Sequence, residues 1–128
     1  MVDGRKTILF NGSSSMEFNH EKLEVYQVSI KLLSAVFGTI EKMPSGFAVM
    51  TDQLKRASLS IPLNIAEGNA KFSLKERARF FKIARASANE CAAVFDAGNV
   101  LQIIDERTCQ QSKSLLDRIV CMLSKMSK

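Results

Sequence analysis

The sequence predicts an all-α protein, an up-down-up-down four-helix bundle, on three observations. Apolar residues recur at spacings of three and four through most of the chain, four such segments are parted by short Gly-, Pro- or Ser-containing breaks, and no segment of the body alternates at the strand period of two. A length of 128 residues favours one domain. We expect a flexible N-terminal arm over residues 1–18 and a bundle domain over residues 19–128.

The arm is set off by Gly12 and Ser13 to Ser15, and its "TILF" either forms a small strand or stays mobile. Asn19 is the candidate N-cap of the first helix, with Glu21 in the first turn where the helix dipole favours a negative charge. Tyr26, Ile30, Leu33, Phe37 and Ile40 then follow at helical spacing as a core seam, widened by Val25, Leu32 and Val36. "MPSG", residues 43–46, ends this helix and turns the chain.

The second helix is expected from about Phe47 to Asn69, with Met50, Leu54, Ala57, Ile61 and Ile65 inward. Leu59, Leu63 and Ala66 form a second apolar stripe nearly opposite the first at roughly 100° per residue. A helix apolar on two sides must be covered on both, so the second stripe is expected to meet another subunit. Within this helix lies "SIPLNIAEG", residues 60–68. Pro62 has no amide hydrogen and its ring crowds the Ser58 carbonyl, which predicts a kink there. The short polar Ser58, Ser60 and Asn64 are expected to satisfy the freed carbonyl. Gly68 or Asn69 would end the helix in the left-handed conformation.

"SLKE", residues 73–76, reads as a capping box for the third helix. Leu74, Ala78, Phe81, Ala84, Ala88, Cys91 and Phe95 would point inward, with Phe80, Ile83 and Val94 as an apolar flank. The candidate subunit contact is thus Leu59, Leu63, Ala66, Phe80 and Ile83. The pattern does not fix the helix end between Gly98 and Gln102. Asp105 is the N-cap of a fourth helix, closed onto the core by Leu115, Leu116, Ile119, Val120, Leu123 and Met126.

The residues offer little chemistry. Cys91, Cys109 and Cys121 read as small buried thiols, and with the single His20 they make no zinc or redox motif, so neither a metal nor a cofactor is expected. No phosphate-cradling glycine loop occurs, and no nucleophile stands beside a base, so the chain is not expected to be an enzyme. No apolar run reaches the roughly 18–20 residues of a membrane span, and the N-terminal apolar core is too short for a signal peptide, which predicts a cytoplasmic protein without membrane contact.

Charge is more informative. The formal net charge is +5, with a pI near 9.3. Lys75, Arg79 and Lys82 share a narrow sector of one helix face, Arg85 borders them, Lys71 precedes them, and Lys55 and Arg56 add two charges from the second helix. Such a stripe is either an ordinary solvated face or a phosphate-binding surface for RNA or DNA. No aromatic residue is interleaved with it, so base stacking is not expected.

Residues 52–92, "DQLKRASLSIPLNIAEGNAKFSLKERARFFKIARASANECA", resemble the core of the 23S rRNA intervening-sequence protein family, with its "SIPxNIAEG", its Ser-x-x-Glu helix start and its "RFxxIARGS". The "LEVYQVSIKLL" helix before and the closing helix after also fit, so the resemblance covers about residues 22–126. It implies a four-helix bundle assembled as a homopentamer. It also implies a setting in rRNA intervening sequences or, through the related accessory protein of diversity-generating retroelements, a partnership with nucleic acid and a reverse transcriptase. The basic residues carried over are Lys55, Arg56, Lys71, Arg79 and Arg85, while Asn64, Glu67 and Gly68 match the signature without an assigned role. Ala70 and Ala86 stand where the family pattern has glycines. The resulting expectation is a non-catalytic oligomeric bundle that binds RNA or DNA through a basic surface. The alternative is a structural or protein-interaction ring without nucleic acid.

Overall fold

The computed structural model describes residues 18–128, so the arm and its "TILF" segment lie outside the described residues except for Phe18. A short 3-10 turn, Asn19–Lys22, leads into α1 (Glu24–Lys42), α2 (Ala48–Asn69), α3 (Leu74–Val100) and α4 (Glu106–Met126). No strand occurs among the described residues. Each helix packs along its sequence neighbours, and α1 closes the ring against α4. Along α2 and α3, Gln53 meets Glu90, Ser60 meets Ser87 and Asn69 meets Arg77, so rising numbers meet falling ones. The same holds between α3 and α4, where Arg85 meets Ser124 and Asp96 meets Lys113. Consecutive helices α2, α3 and α4 therefore run antiparallel. Among the described residues no helix is long and apolar enough to cross a membrane.

The core seam of α1 lies one residue away from the one expected. Val25, Val28, Leu32, Val36 and Thr39 are buried, while Tyr26, Ile30, Leu33, Phe37 and Ile40 are half-buried beside them. Polar residues disguise the true seam. The Ser29 hydroxyl donates to the Tyr26 carbonyl at 2.6 Å and that of Thr39 to the Ala35 carbonyl at 2.9 Å, so both are buried without an unmet hydrogen bond. Asn19 is not the cap of α1. It opens the 3-10 turn, where the Glu21 carboxylate accepts the amide of Phe18 at 3.0 Å, and α1 starts after Leu23.

The inward faces of the other helices follow the sequence reading closely. Leu54, Ala57, Ile61 and Ile65 of α2, Phe81, Ala84, Ala88, Cys91 and Phe95 of α3, and Leu116, Ile119 and Leu123 of α4 are buried. Leu74 is an exception: as the first residue of α3 it projects beyond the covered part of the helix and is 79% exposed. Cys91 and Cys109 are buried as expected, but Cys121 lies on the exposed face of α4. The expected caps of α3 and α4 form: Ser73 Oγ accepts the Glu76 amide at 3.1 Å, and Asp105 Oδ1 accepts the Thr108 amide at 2.7 Å. The return bond from the Ser73 amide to the Glu76 carboxylate, the other half of the expected capping box, is not made.

α2 continues without a break through the buried Pro62. The nearby polar side chains do not serve the Ser58 carbonyl. Ser58 Oγ donates to the Lys55 carbonyl at 3.3 Å, and Asn64 Nδ2 donates to the Ser60 carbonyl at 2.8 Å and to Ser60 Oγ at 3.0 Å. Gly68 does not terminate α2 in the left-handed conformation; the helix ends through Ala70 at φ −83°. Positive φ occurs among the described residues at Gly46, in the α1–α2 turn, and at Gln102, after α3. There the amides of Ile103 and Ile104 both donate to the Gly98 carbonyl, which fixes the helix end that the apolar pattern leaves open.

Candidate nucleic-acid interface

The basic surface is built where α2 hands over to α3, and its local geometry begins with the absence of a side chain. A Cβ at Gly68 would lie 2.7 Å from Phe81 Cε1 and 3.1 Å from the Arg77 carbonyl oxygen. Only glycine lets the end of α2 come this near to the start of α3. The residues between the helices, Ala70 to Ser73, form a tight connection held from within. The Ala70 amide donates to the Ala66 and Glu67 carbonyls, and the Lys71 amide donates to the Gly68 carbonyl at 3.1 Å. Arg77 then reaches back from α3: Nη1 donates to the carbonyls of Asn69 at 3.3 Å and Lys71 at 3.4 Å, and Nη2 donates to Asn69 Oδ1 at 3.1 Å. A planar guanidinium with several donors can clamp three acceptors of one loop at once.

On this frame the cations gather around Phe80. Lys71 Nζ lies 5.2 Å and the Arg79 guanidinium carbon 4.6 Å from the centroid of its ring. Lys71 also pairs with Glu67 one turn earlier, at 3.6 Å. The aromatic ring therefore draws two positive charges together at the α2–α3 seam, by attraction of each cation to the ring face. Lys75, Arg79 and Lys82 are exposed along the outer face of α3, and none of the three forms an ion pair among the described residues.

The remaining basic candidates stand apart. Arg85 is half-buried and its Nη1 donates to Ser124 Oγ at 3.4 Å, which draws it toward α4. Lys55 and Arg56 are exposed on α2 between the levels of Gln53 and Ser60, which meet Glu90 and Ser87 of α3. Arg56 lies about 40° and Lys55 about 140° around the helix from Ser60. Neither belongs to the group at the start of α3. The structure thus brings together Lys71, Lys75, Arg79 and Lys82.

The apolar candidates lie beside them. Leu59, Leu63 and Ile83 are 46%, 56% and 40% exposed, large fractions for residues of this size, while Ala66 and Phe80 are half-buried. Phe80 belongs to both sets, so the basic face and the apolar face share an edge. The expectation that no aromatic accompanies the basic stripe is overturned by this ring and by Phe72, which is fully exposed in the connection. A residue before an N-cap usually packs on the fourth residue of its helix. That position holds Arg77 here, so Phe72 has no apolar partner to fold onto. This signal is present in the sequence and was missed, as was the clamp by Arg77.

A family model described as 23S rRNA-intervening sequence protein matches residues 21–125. The chain belongs to that family. No curated protein matches the chain. The match runs from the turn before α1 to the last residues of α4 and includes the whole α2–α3 unit.

Within this family member the opening words of the signature acquire physical roles. Asn64 holds both the carbonyl and the hydroxyl of Ser60, and Ser60 Oγ meets Ser87 Oγ of α3 at 2.8 Å. Glu67 holds Lys71 over Phe80, and Gly68 admits Phe81. "SIPLNIAEG" is a specification of the α2–α3 seam, the most extensive helix contact in the bundle.

Proposed function

We propose that the protein is a non-catalytic oligomeric bundle that binds RNA or DNA through the phosphates, using the face formed by Lys71, Lys75, Arg79 and Lys82. The observation that carries this reading is the concentration of these cations at the start of α3, with Lys75, Arg79 and Lys82 unpaired among the described residues and Arg79 seated on Phe80. Unpaired surface cations keep their counterions in solution and release those of the nucleic acid on binding, which gives affinity that falls with salt. Membership of a family named for 23S rRNA intervening sequences supports a role near RNA. The same resemblance makes a reverse transcriptase a candidate protein partner.

The oligomer, a pentamer by resemblance, would use Leu59, Leu63, Ala66, Phe80 and Ile83. Because Phe80 adjoins both faces, assembly would set the basic surfaces of neighbouring subunits side by side. A second reading, a ring that serves as protein scaffold without nucleic acid, is favoured by the exposure of Leu59, Leu63 and Ile83 alone.

Titration of labelled RNA and DNA across a salt series, with subunit number measured by light scattering on the same sample, separates the two. The expected result is an oligomer whose affinity drops steeply with salt and is lost when Lys75, Arg79 and Lys82 are changed together to Glu. Binding unchanged by that reversal would overturn the nucleic-acid reading. A monomer at micromolar concentration would overturn both oligomeric readings.

A further inference from the structure

We propose that the nucleic acid held by this face is single-stranded, and that Phe72 is the platform on which one of its bases stacks. The inference rests on the phosphate-binding reading above and adds to it a contact that only an unpaired base can make.

Phe72 is 103% exposed, more than any other large apolar residue described, and its neighbour Leu74 is 79% exposed. A phenylalanine ring in water is unfavourable, and here the fold itself keeps it there. The connection is too tightly bound to tuck the ring away: the amides of Ala70 and Lys71 are both engaged, and Arg77 clamps the carbonyls of Asn69 and Lys71 on the N-terminal side of Phe72. On its C-terminal side Ser73 is fixed as the N-cap of α3. The ring is presented on a rigid mount, which lowers the ordering cost of any partner it receives.

The surroundings decide the kind of partner. Lys71 lies beside Phe72, and Lys75, Arg79 and Lys82 follow it along α3, with Glu76 the one carboxylate between residues 71 and 85 and Glu67 paired to Lys71 from α2. A partner for this ring must carry negative charge close to a flat apolar face, as a nucleotide does. In a duplex the base faces are already stacked on one another, so a protruding ring finds none to cover. In a single strand the bases splay out and stack on aromatic side chains while the backbone tracks a basic groove. Lys75, Arg79 and Lys82 continue from Phe72 along α3 over about 10 Å of helix, a line along which the phosphates beside the stacked base would run.

The chain contains no tryptophan, so Phe72→Trp places a unique indole at the site, excited apart from the single Tyr26. This variant would be titrated with a short oligouridylate and with a hairpin duplex RNA, and with anionic lipid vesicles as a third probe. In parallel, Phe72→Ala would be tested for binding to both RNAs across a salt series, its fold checked by circular dichroism and its subunit number by light scattering. The expected result is saturable quenching of the tryptophan by the oligouridylate. Phe72→Ala should bind it roughly tenfold more weakly with an unchanged salt slope, since stacking carries no counterion release, and should bind the duplex as before. Equal affinity of wild type and Phe72→Ala for the single strand would overturn the stacking and leave the phosphate reading standing. Failure of the wild type to bind either RNA would overturn both. A change in subunit number in Phe72→Ala would reassign the ring to a subunit contact, and a response to vesicles without one to RNA would reassign it to a lipid surface; each overturns the inference.

Discussion

Gly68 of α2 and Phe81 of α3 meet so closely that a methyl group at position 68 would sit 2.7 Å from Cε1 and 3.0 Å from Cδ1 of the ring, and 3.1 Å from the Arg77 carbonyl oxygen. Both neighbours are fixed: Phe81 is a buried core ring and the carbonyl belongs to the backbone of α3. Gly68→Ala gains about 0.5–1 kcal/mol of helix propensity and meets an overpacking cost of about 1–3 kcal/mol. The cost should win, with a net loss of about 1–2 kcal/mol read as a lower urea midpoint at unchanged slope. A variant as stable as the wild type would show that the helices part without penalty.

The Arg77 clamp should matter for order more than for global stability. Arg77→Lys keeps the charge but loses the planar fork that reaches Asn69 and Lys71 together. The expected loss is about 1 kcal/mol, since these contacts are 3.1–3.4 Å long and only half-buried. Amide hydrogen exchange at residues 69–73 should accelerate well beyond what that global loss explains. Uniform acceleration across the bundle would mean that the clamp does not act on the connection.

How much of this was legible in the sequence depends on what each pattern measures. Periodicity located four helices and the inward faces of α2, α3 and α4, because there the core line is made of apolar residues. It misplaced the seam of α1, where Ser29 and Thr39 lie in the core with their hydroxyls turned onto the helix backbone, and larger residues on the flank looked more like a core. Cap chemistry located Ser73 and Asp105 because one side chain and one amide define the motif. Local rules predict a left-handed terminator at Gly68 or Asn69, since they see a glycine near a helix end and cannot see Phe81, which comes from another helix. The same limit hid the gathering of Lys71 and Arg79 around Phe80. A charge stripe is visible along one helix; a ring that also receives a cation from the connection before it is a tertiary fact.

The three thiols should divide by burial. Burial, with the adjacent Glu90 charge, pushes the Cys91 thiol up to about 12, and burial also raises Cys109, whose Sγ points at the Phe95 carbonyl at 3.6 Å. Neither forms an appreciable thiolate at neutral pH, and only the thiolate reacts. Cys121 is exposed. A thiol-specific reagent followed by mass spectrometry should therefore modify Cys121 alone in the native protein and all three residues after unfolding. Rapid native labelling of Cys91 would indicate that α3 opens locally at the core.

The cap of α4 gives a pH signature of defined sign. Asp105 accepts the Thr108 amide at 2.7 Å, and this bond and one from the Thr108 hydroxyl hold its carboxyl below the ordinary 3.8 against an opposing desolvation, with lesser help from the charges of Lys42 and Arg107. The group is charged more readily in the folded state than in the unfolded one. Its contribution to stability is therefore fully present above the unfolded value and lost as pH falls through the lower folded value. Asp105→Ala should melt below the wild type at neutral pH, and the gap should close as the solution is acidified past that point. Asp105→Asn, which can cap without charge, should melt between the two at neutral pH and show less of this convergence. A gap between Asp105→Ala and wild type that persists undiminished at low pH would mean that the cap works through geometry alone and the charge on Asp105 adds nothing.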